Sequence, residues 1–474
     1  MSTLTDPGTD RAARRADRLL PLEPGTRARA RELYARVAAR PILSPHGHVD
    51  PRLFVEDAPF PDPVALFIRD DHYVTRLLHA DGIPLADLGL GRPWDDVDTR
   101  AVWRTFCDRG HLFAGTASGY WLRATLDDVF GIDIAIDGTH ADDLYDAIAS
   151  RLTEPALRPR ALLREFGIEV LATTDDPLDP LDAHRTIAQD AGIHTLVRPT
   201  FRPDAYIDPA NDRWGANVDA LLGASGGAGY RGYLEGLQAQ RLRFVRAGAT
   251  SADFGVLSPA TVELDESTAS GLFDRARAGA ATPAEKALFL AHMLFESARM
   301  SVEDGLVMTL HAGVLRNHHG PTFAVLGPDR GHDIPVPTTF VEGLRPLLER
   351  FGTEPGFQLV LFTVDETTYS REIAPLAGFY PSVYIGAPWW FLDAPEAARR
   401  FRAATVETAG FYRGSGFIDD TRAFLSIPAR HDMARRVDAG YLAGLVEDGR
   451  LSMSQAEAIA DDLVDAIPRR AFRL

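Results

Sequence analysis

The chain has 474 residues, 45% of them hydrophobic and 25% charged, with a formal net charge of -17. The composition is that of a soluble globular protein, and the length fits one large α/β barrel with an insertion or two to three ordinary domains. The acidic balance argues against nucleic acid as a main partner, although local arginines can still take a small anion; one cysteine, Cys107, leaves no disulfide framework and no thiolate metal cluster.

Residues 1–25 are polar and arginine-bearing, without an apolar core of signal-peptide length. No apolar run approaches the roughly 20 residues of a membrane span, so the expectation is a cytoplasmic protein with no membrane partner. Residues 41–44 are the first strand candidate and run into Ser44-Pro45-His46-Gly47-His48. In an extended chain, side chains at i and i+2 point to the same side. His46 and His48 therefore aim two imidazoles at one point, which a divalent metal requires of its first two ligands. Taken alone, such a pair is as readily a chance loop sequence.

Residues 70–160 carry helical patterns and the aromatics Phe106, Phe113, Tyr120, Trp121 and Phe130. They read as an α-helical insertion after the first strand, with 1–69 and 161–474 forming the barrel. The aromatics read as core in preference to a ligand platform. Strand and helix then alternate, with strand candidates at 168–174, 194–200, 249–256, 306–311, 358–364, 382–387 and 416–420. With the first, these make eight, and the alternation implies parallel βαβ units closing into a (β/α)8 TIM-type barrel. Lys286, the only lysine, lies in the first turns of a helical stretch, which argues against Schiff-base chemistry. Two amphipathic helices at 429–446 and 454–467 end the chain. They suit either a subunit interface in a homo-oligomer or closure of the barrel floor.

Polar groups follow the strand candidates: His46 and His48; Thr173 to Asp176; Arg198 and Arg202; Asp253; His311 and Arg316; Asp365 and Arg371; Trp389 and Trp390; Asp420 and Arg422. Barrels build their sites at the C-terminal ends of strands, though solvated loops carry polar residues in any protein. If the first and last strands are neighbours, Asp420 completes the site that His46 and His48 begin. If 416–422 is extended, Arg422 shares its face with Asp420. Blander readings stand beside these. Asp175-Asp176-Pro177 reads as a helix N-cap with proline in the first turn, and one of Trp389 and Trp390 as core. Arg430, His431, Arg435 and Arg436 read as ion pairs or a subunit contact, His318 and His319 as a solvated loop, and 327–331 as a turn.

Taken in order, several segments resemble the uronate (glucuronate) isomerases of the amidohydrolase superfamily over nearly the whole chain. They are Ser44-Pro45-His46-Gly47-His48, Asp71-His72-Tyr73, Thr173-Thr174-Asp175-Asp176-Pro177 and Phe201-Arg202-Pro203-Asp204. Further on come Leu310-His311-Ala312-Gly313-Val314-Leu315-Arg316-Asn317, Leu326-Gly327-Pro328-Asp329, Trp389-Trp390-Phe391 and Asp420-Thr421-Arg422-Ala423-Phe424-Leu425-Ser426. The resemblance implies a distorted (β/α)8 barrel with a helical insertion. It implies interconversion of D-glucuronate with D-fructuronate and of D-galacturonate with D-tagaturonate. It also implies a divalent metal, usually zinc (Zn2+), held by His46, His48 and Asp420, with His311 lining the site as a candidate further ligand, and with His72, Tyr73, His311, Arg316, Trp389 and Arg422 contacting the hexuronate.

Aldose–ketose isomerisation moves a proton from C2 to C1 through an enediolate, and needs a proton carrier and an electrophile. Asp420 and Tyr73 are the candidate carriers. A metal-bound carboxylate is a weak base, so the choice between them stays open. A guanidinium matches the C6 carboxylate, with Arg422 the first choice and Arg316 the second. One segment departs from the family: Ala252-Asp253-Phe254-Gly255 stands where relatives often have Ser/Thr-Asp-His-Gly. The main rival function is a mononuclear metal-dependent hydrolase on the same scaffold. A two-metal version would want a carboxylated lysine on the fourth strand, where none stands. A non-catalytic sugar-acid binding protein is the third reading, with Phe254 its only hint.

Overall fold

The computed structural model describes residues 15–474; of the polar N-terminal stretch, residues 1–14 lie outside them. Seven short parallel strands form the centre: β1 (Ile42–Ser44), β2 (Ile168–Ala172), β3 (Leu196–Arg198), β4 (Ser251–Val256), β5 (Val307–Ala312), β6 (Leu359–Thr363) and β7 (Val383–Ile385). β1, β2 and β3 make one parallel ladder, and β4 to β7 another. A bridge between Phe201 and Ala252 joins the end of β3 to β4. All residues of β5 and β6 are buried. Helices cover the outside while side chains fill the inside, so both faces of these strands are buried.

The eighth stave differs from expectation. No regular strand forms at 416–420; instead Gly414 bridges to Ile385 of β7. The His48 N–H then donates to the Thr421 carbonyl at 3.0 Å and closes the ring onto β1. Left-handed backbone at Gly416 (φ 76°) and Asp420 (φ 42°) interrupts the extended chain. Gly416 is needed there twice over, since a Cβ would also stand 3.0 Å from Pro468. The barrel is thus parallel and eight-staved, with its last stave irregular.

The regular elements between β1 and β2 are all helical, among them α1 (His72–Ala80) and α2 (Ala117–Thr125). Phe106, Phe113 and Phe130 share a core with Ile42, Ile168 and Leu171 of the first two strands, so this region packs on the barrel. Farther along, helix α3 (Pro283–Asp304) starts with a capping box between Thr282 and Glu285 and a proline in its first turn, and Lys286 lies in that turn as expected.

At the C-terminus, α4 (Ile427–Glu447) and α5 (Met453–Val464) pack against the helix Pro24–Val37. The last helix, Ala466–Phe472, places Ala471 and Phe472 against Val307 and Val360. Gln358, just before β6, donates to the carbonyls of Arg470 and Ala471 at 2.7 and 2.8 Å. The chain end therefore plugs the N-terminal floor of the barrel. Among the described residues, no helix is long and apolar enough to cross a membrane.

Candidate active site

The site lies at the opposite end, where the strands point. Beyond β1, His46 is 1% exposed and His48 stands nearer the cavity. Their Nε2 atoms lie 3.3 and 2.9 Å from the same oxygen, Oδ1 of Asp420. The left-handed turn at Asp420 delivers its carboxylate to the histidines, while its neighbour Thr421 accepts the closing bond from His48. β5 adds His311, whose ring stacks on His46 at 4.7 Å between centroids. The donor atoms of His46, His311 and Asp420 all lie within 4.8 Å of one another, and His48 flanks this set through Asp420.

Nδ1 of His46 and Nε2 of His311 are buried with no hydrogen-bond partner, and Asp420 Oδ1 has only the two imidazole nitrogens beside it. The other ring nitrogen of His311 is committed, because Nδ1 lies 2.7 Å from Asp253 Oδ1, which also accepts from Thr309 Oγ1. That carboxylate fixes the tautomer with the Nε2 lone pair facing the site, the arrangement that prepares a histidine for a metal. Nitrogen and carboxylate donors so disposed fit a divalent ion. Burial raises a carboxyl pKa, but the adjacent imidazoles of His46 and His48 overcome it and hold Asp420 well below the ordinary range. Asp253 is held low against its burial by His311, His46 and Arg202.

Above the cluster opens a cavity of about 1190 Å³, with His46, His48, His72, Tyr73, His311, Arg316, Trp389, Asp420 and Arg422 on its wall. His72 and Tyr73 enter from the first turn of α1, which Asp71 caps by accepting from the Tyr73 N–H. Burial, then the charge of Arg422, pulls the His72 pKa down to about 4, so this imidazole is neutral. Burial and the charge of Asp393 raise the Tyr73 phenol well above its usual range. Arg316 lies 4.8 Å over the Trp390 ring and pairs with Asp333 at 3.1 Å. Arg422 has a looser contact, 3.4 Å, to Asp329. Trp389 stands edge-on to His311 at 4.6 Å; Trp390 is equally buried, and both belong to one apolar cluster.

Other expectations are corrected. Helix Asp182–Gln189 begins after Leu181, so Asp175-Asp176-Pro177 is not its N-cap. Asp175 instead accepts from Thr173 Oγ1 and the Thr200 N–H, at 2.6 and 3.1 Å, and Asp176 accepts from the Leu178 N–H. Arg422 does not share an extended face with Asp420, because the left-handed turn intervenes. Arg198, Asp365 and Arg371 lie off the cavity wall, bonded to Gly248, Thr367 and Glu372. Phe254 is fully buried among the apolar side chains outside the sheet. It pairs in register with Leu310, while Asp253 and Gly255 pair with Thr309 and His311. Phe254 therefore faces away from the site, and the hint of a degenerate binding protein goes with it.

The sequence marks Arg202 only as a polar group after a strand and gives Asp393 no role, yet both reach the cavity wall together with Arg430. Arg202 reaches the cavity wall with Asp204 at 2.9 Å and Asp253 at 3.5 Å. Its place after a strand was a usable signal. Arg430 forms the expected kind of ion pair, 2.7 Å from Asp393, but nothing local in the sequence marks that partner.

Histidines and a carboxylate gathered at the strand ends of a parallel eight-staved barrel form a donor set suited to a metal-dependent enzyme. A putative metal-dependent hydrolase from Lactobacillus casei shares that fold, with a TM-score of 0.53 at 15% identity. Residues 25–470 match the glucuronate isomerase family, and the chain belongs to it. It is 50% identical over 460 residues to the uronate isomerase of Rhizorhabdus wittichii, covering 97% of this chain and 98% of that one. The crystal structure of glucuronate isomerase from Caulobacter crescentus superposes with a TM-score of 0.94 at 44% identity, over 96% of each chain. That of the Thermotoga maritima uronate isomerase gives 0.90 at 28% identity, over 96% of this chain and 99% of that one. The hydrolase alternative is not favoured.

Proposed function

We propose that the protein interconverts D-glucuronate with D-fructuronate, and D-galacturonate with D-tagaturonate, in hexuronate catabolism. The observation that carries this reading is the convergence of His46, His311 and Asp420 beneath a cavity whose wall bears Arg316 and Arg422. Arg422, whose single ion-pair contact is long, takes the C6 carboxylate bidentately, with Arg316 beside it. Neutral His72 and Trp389 border the sugar. Asp420, ionised across the neutral range, takes the proton from C2 and returns it to C1. His46, His311, Asp420 and the flanking His48 would hold a divalent ion, with zinc the best match to the donor set. When bound, that ion polarises the substrate oxygens and steadies the enediolate charge. Residues 70–160 act as a helical insertion that walls the cavity. The one free, buried cysteine suits a reducing cytoplasm.

Proton NMR of the protein with D-glucuronate in D2O, before and after zinc is restored to chelated enzyme, tests the reading. D-fructuronate signals with partial deuterium incorporation, dependent on zinc, are the expected result. A folded, metal-loaded protein that turns over neither uronate would overturn it.

A further inference from the structure

Tyr73 is the substrate-facing residue with the most elaborate support. Its hydroxyl lies 3.2 Å from each carboxylate oxygen of Asp393 and accepts from the Phe391 N–H at 3.3 Å. Asp393 and Arg430 are 6% and 4% exposed and pair at 2.7 Å. Arg430 is anchored in turn by Ser426 Oγ at 3.1 Å and the Asp419 carbonyl at 3.3 Å. Its guanidinium lies 3.5 Å over the Trp121 ring of α2, and Trp121 stands edge-on to Tyr73 at 5.6 Å. Helix α1, helix α2, the loop after β7 and helix α4 thus meet on one phenol.

A phenol has one proton and two acceptor sites. Here the proton is directed to Asp393 and one lone pair is used by Phe391. What remains toward the cavity is a single lone pair. Releasing the proton to a substrate would leave a phenolate against a buried carboxylate, which the raised Tyr73 pKa opposes.

We propose that Asp393 and Arg430 are positioning residues that hold the Tyr73 hydroxyl proton away from the cavity, making Tyr73 a fixed acceptor for a sugar hydroxyl and not the group that transfers the proton. This rests on the isomerase reading for its kinetic test and is independent of it for its spectroscopic one.

The test is a double-mutant cycle on kcat/KM between Tyr73→Phe and Asp393→Asn. The carboxamide that D393N introduces can donate to the phenol and turn its O–H into the cavity, so D393N alone is expected to lose about 10- to 100-fold. In the Y73F background the same change should cost less than about 2-fold, because the hydroxyl it acts through is gone. An equal loss in both backgrounds would mean a merely structural role and would overturn the proposal. D393N leaves a buried guanidinium unpaired, so D393N/R430M, which removes both charges, is measured beside it and is expected to show the same dependence on Tyr73. Ultraviolet titration of the phenol, as the difference between each variant and its Y73F counterpart, is the second readout. Loss of the Asp393 charge should lower the Tyr73 pKa, whether or not any uronate is turned over. An unmoved pKa would overturn the proposal equally.

Discussion

Asp329 is the carboxylate that contacts both arginines expected to take the substrate's own carboxylate. It lies 3.4 Å from Arg422 and 3.9 Å from Arg316, and Arg422, Arg316 and His72 together hold its pKa low against burial. Such long, half-exposed contacts contribute only about 0.2–1 kcal/mol, so a bound uronate can displace them. Asp329→Asn should then lower KM for D-glucuronate by roughly 2- to 5-fold with little change in kcat. A rise in KM would show that Asp329 aligns the arginines and does not compete with substrate. Asp253 offers a second test at this scale. It lines the cavity and fixes His311 by a 2.7 Å contact. Asp253→Asn should weaken zinc binding by about 10- to 100-fold, measured by competition with a chromophoric chelator. Unchanged affinity would remove His311 from the ligand set and leave His46, His48 and Asp420.

Elements whose specification is local were readable from the sequence, and those shaped by distant contacts were not. Helix α3 announces itself through Thr282, Pro283 and Glu285, and its bounds follow from that cap and from Gly305, which ends it at φ 79°. β4 to β6 are legible as buried runs. The eighth stave resembles them in composition, yet Asp420 adopts φ 42°, a conformation enforced by its place between two histidines and by ring closure onto His48. No local pattern encodes that. Asp175 misleads for a related reason: the residue type and the following proline fit a cap, but its side chain finds Thr173 and Thr200 across the sheet. Helix-to-helix contacts show the same limit. Arg241, on the helix Gly229–Arg246, pairs with Asp304 at the end of α3 at 2.6 Å, both side chains being 1% exposed. Breaking such a pair strands a buried charge, so Asp304→Ala should cost about 3–5 kcal/mol. Denaturant unfolding measures it, and a loss below about 1 kcal/mol would mean that water reaches Arg241 in the variant.

For the whole molecule, one pH-dependent contribution to stability comes from a buried pair beside β2, where barrel and outer helix meet. His184 Nε2 lies 2.8 Å from Thr173 Oγ1, which donates to Asp175 at 2.6 Å. Burial pulls the His184 pKa from 6.5 down to about 4. Between those values the unfolded chain binds a proton there that the folded chain refuses, so this contribution is present above pH 6.5 and is lost as the pH falls toward 4. Burial pushes Asp175 the other way, from 3.8 up to about 7. The folded chain then keeps a proton that the unfolded chain has released, so this contribution is complete below about pH 4 and is lost as the pH rises through 7. The two slopes oppose each other across nearly the same window, and one hydroxyl links the groups. Substituting His184→Gln keeps a polar partner for Thr173 and removes only the histidine's slope. Relative to the unsubstituted protein, the variant should gain stability steadily as the pH is lowered from 6.5 to 4.5, read as the difference between their thermal midpoints in matched buffers. A difference that stays constant across that range would mean that His184 takes up its proton in the folded barrel as readily as in the unfolded chain, and that water reaches the pair from the cavity side.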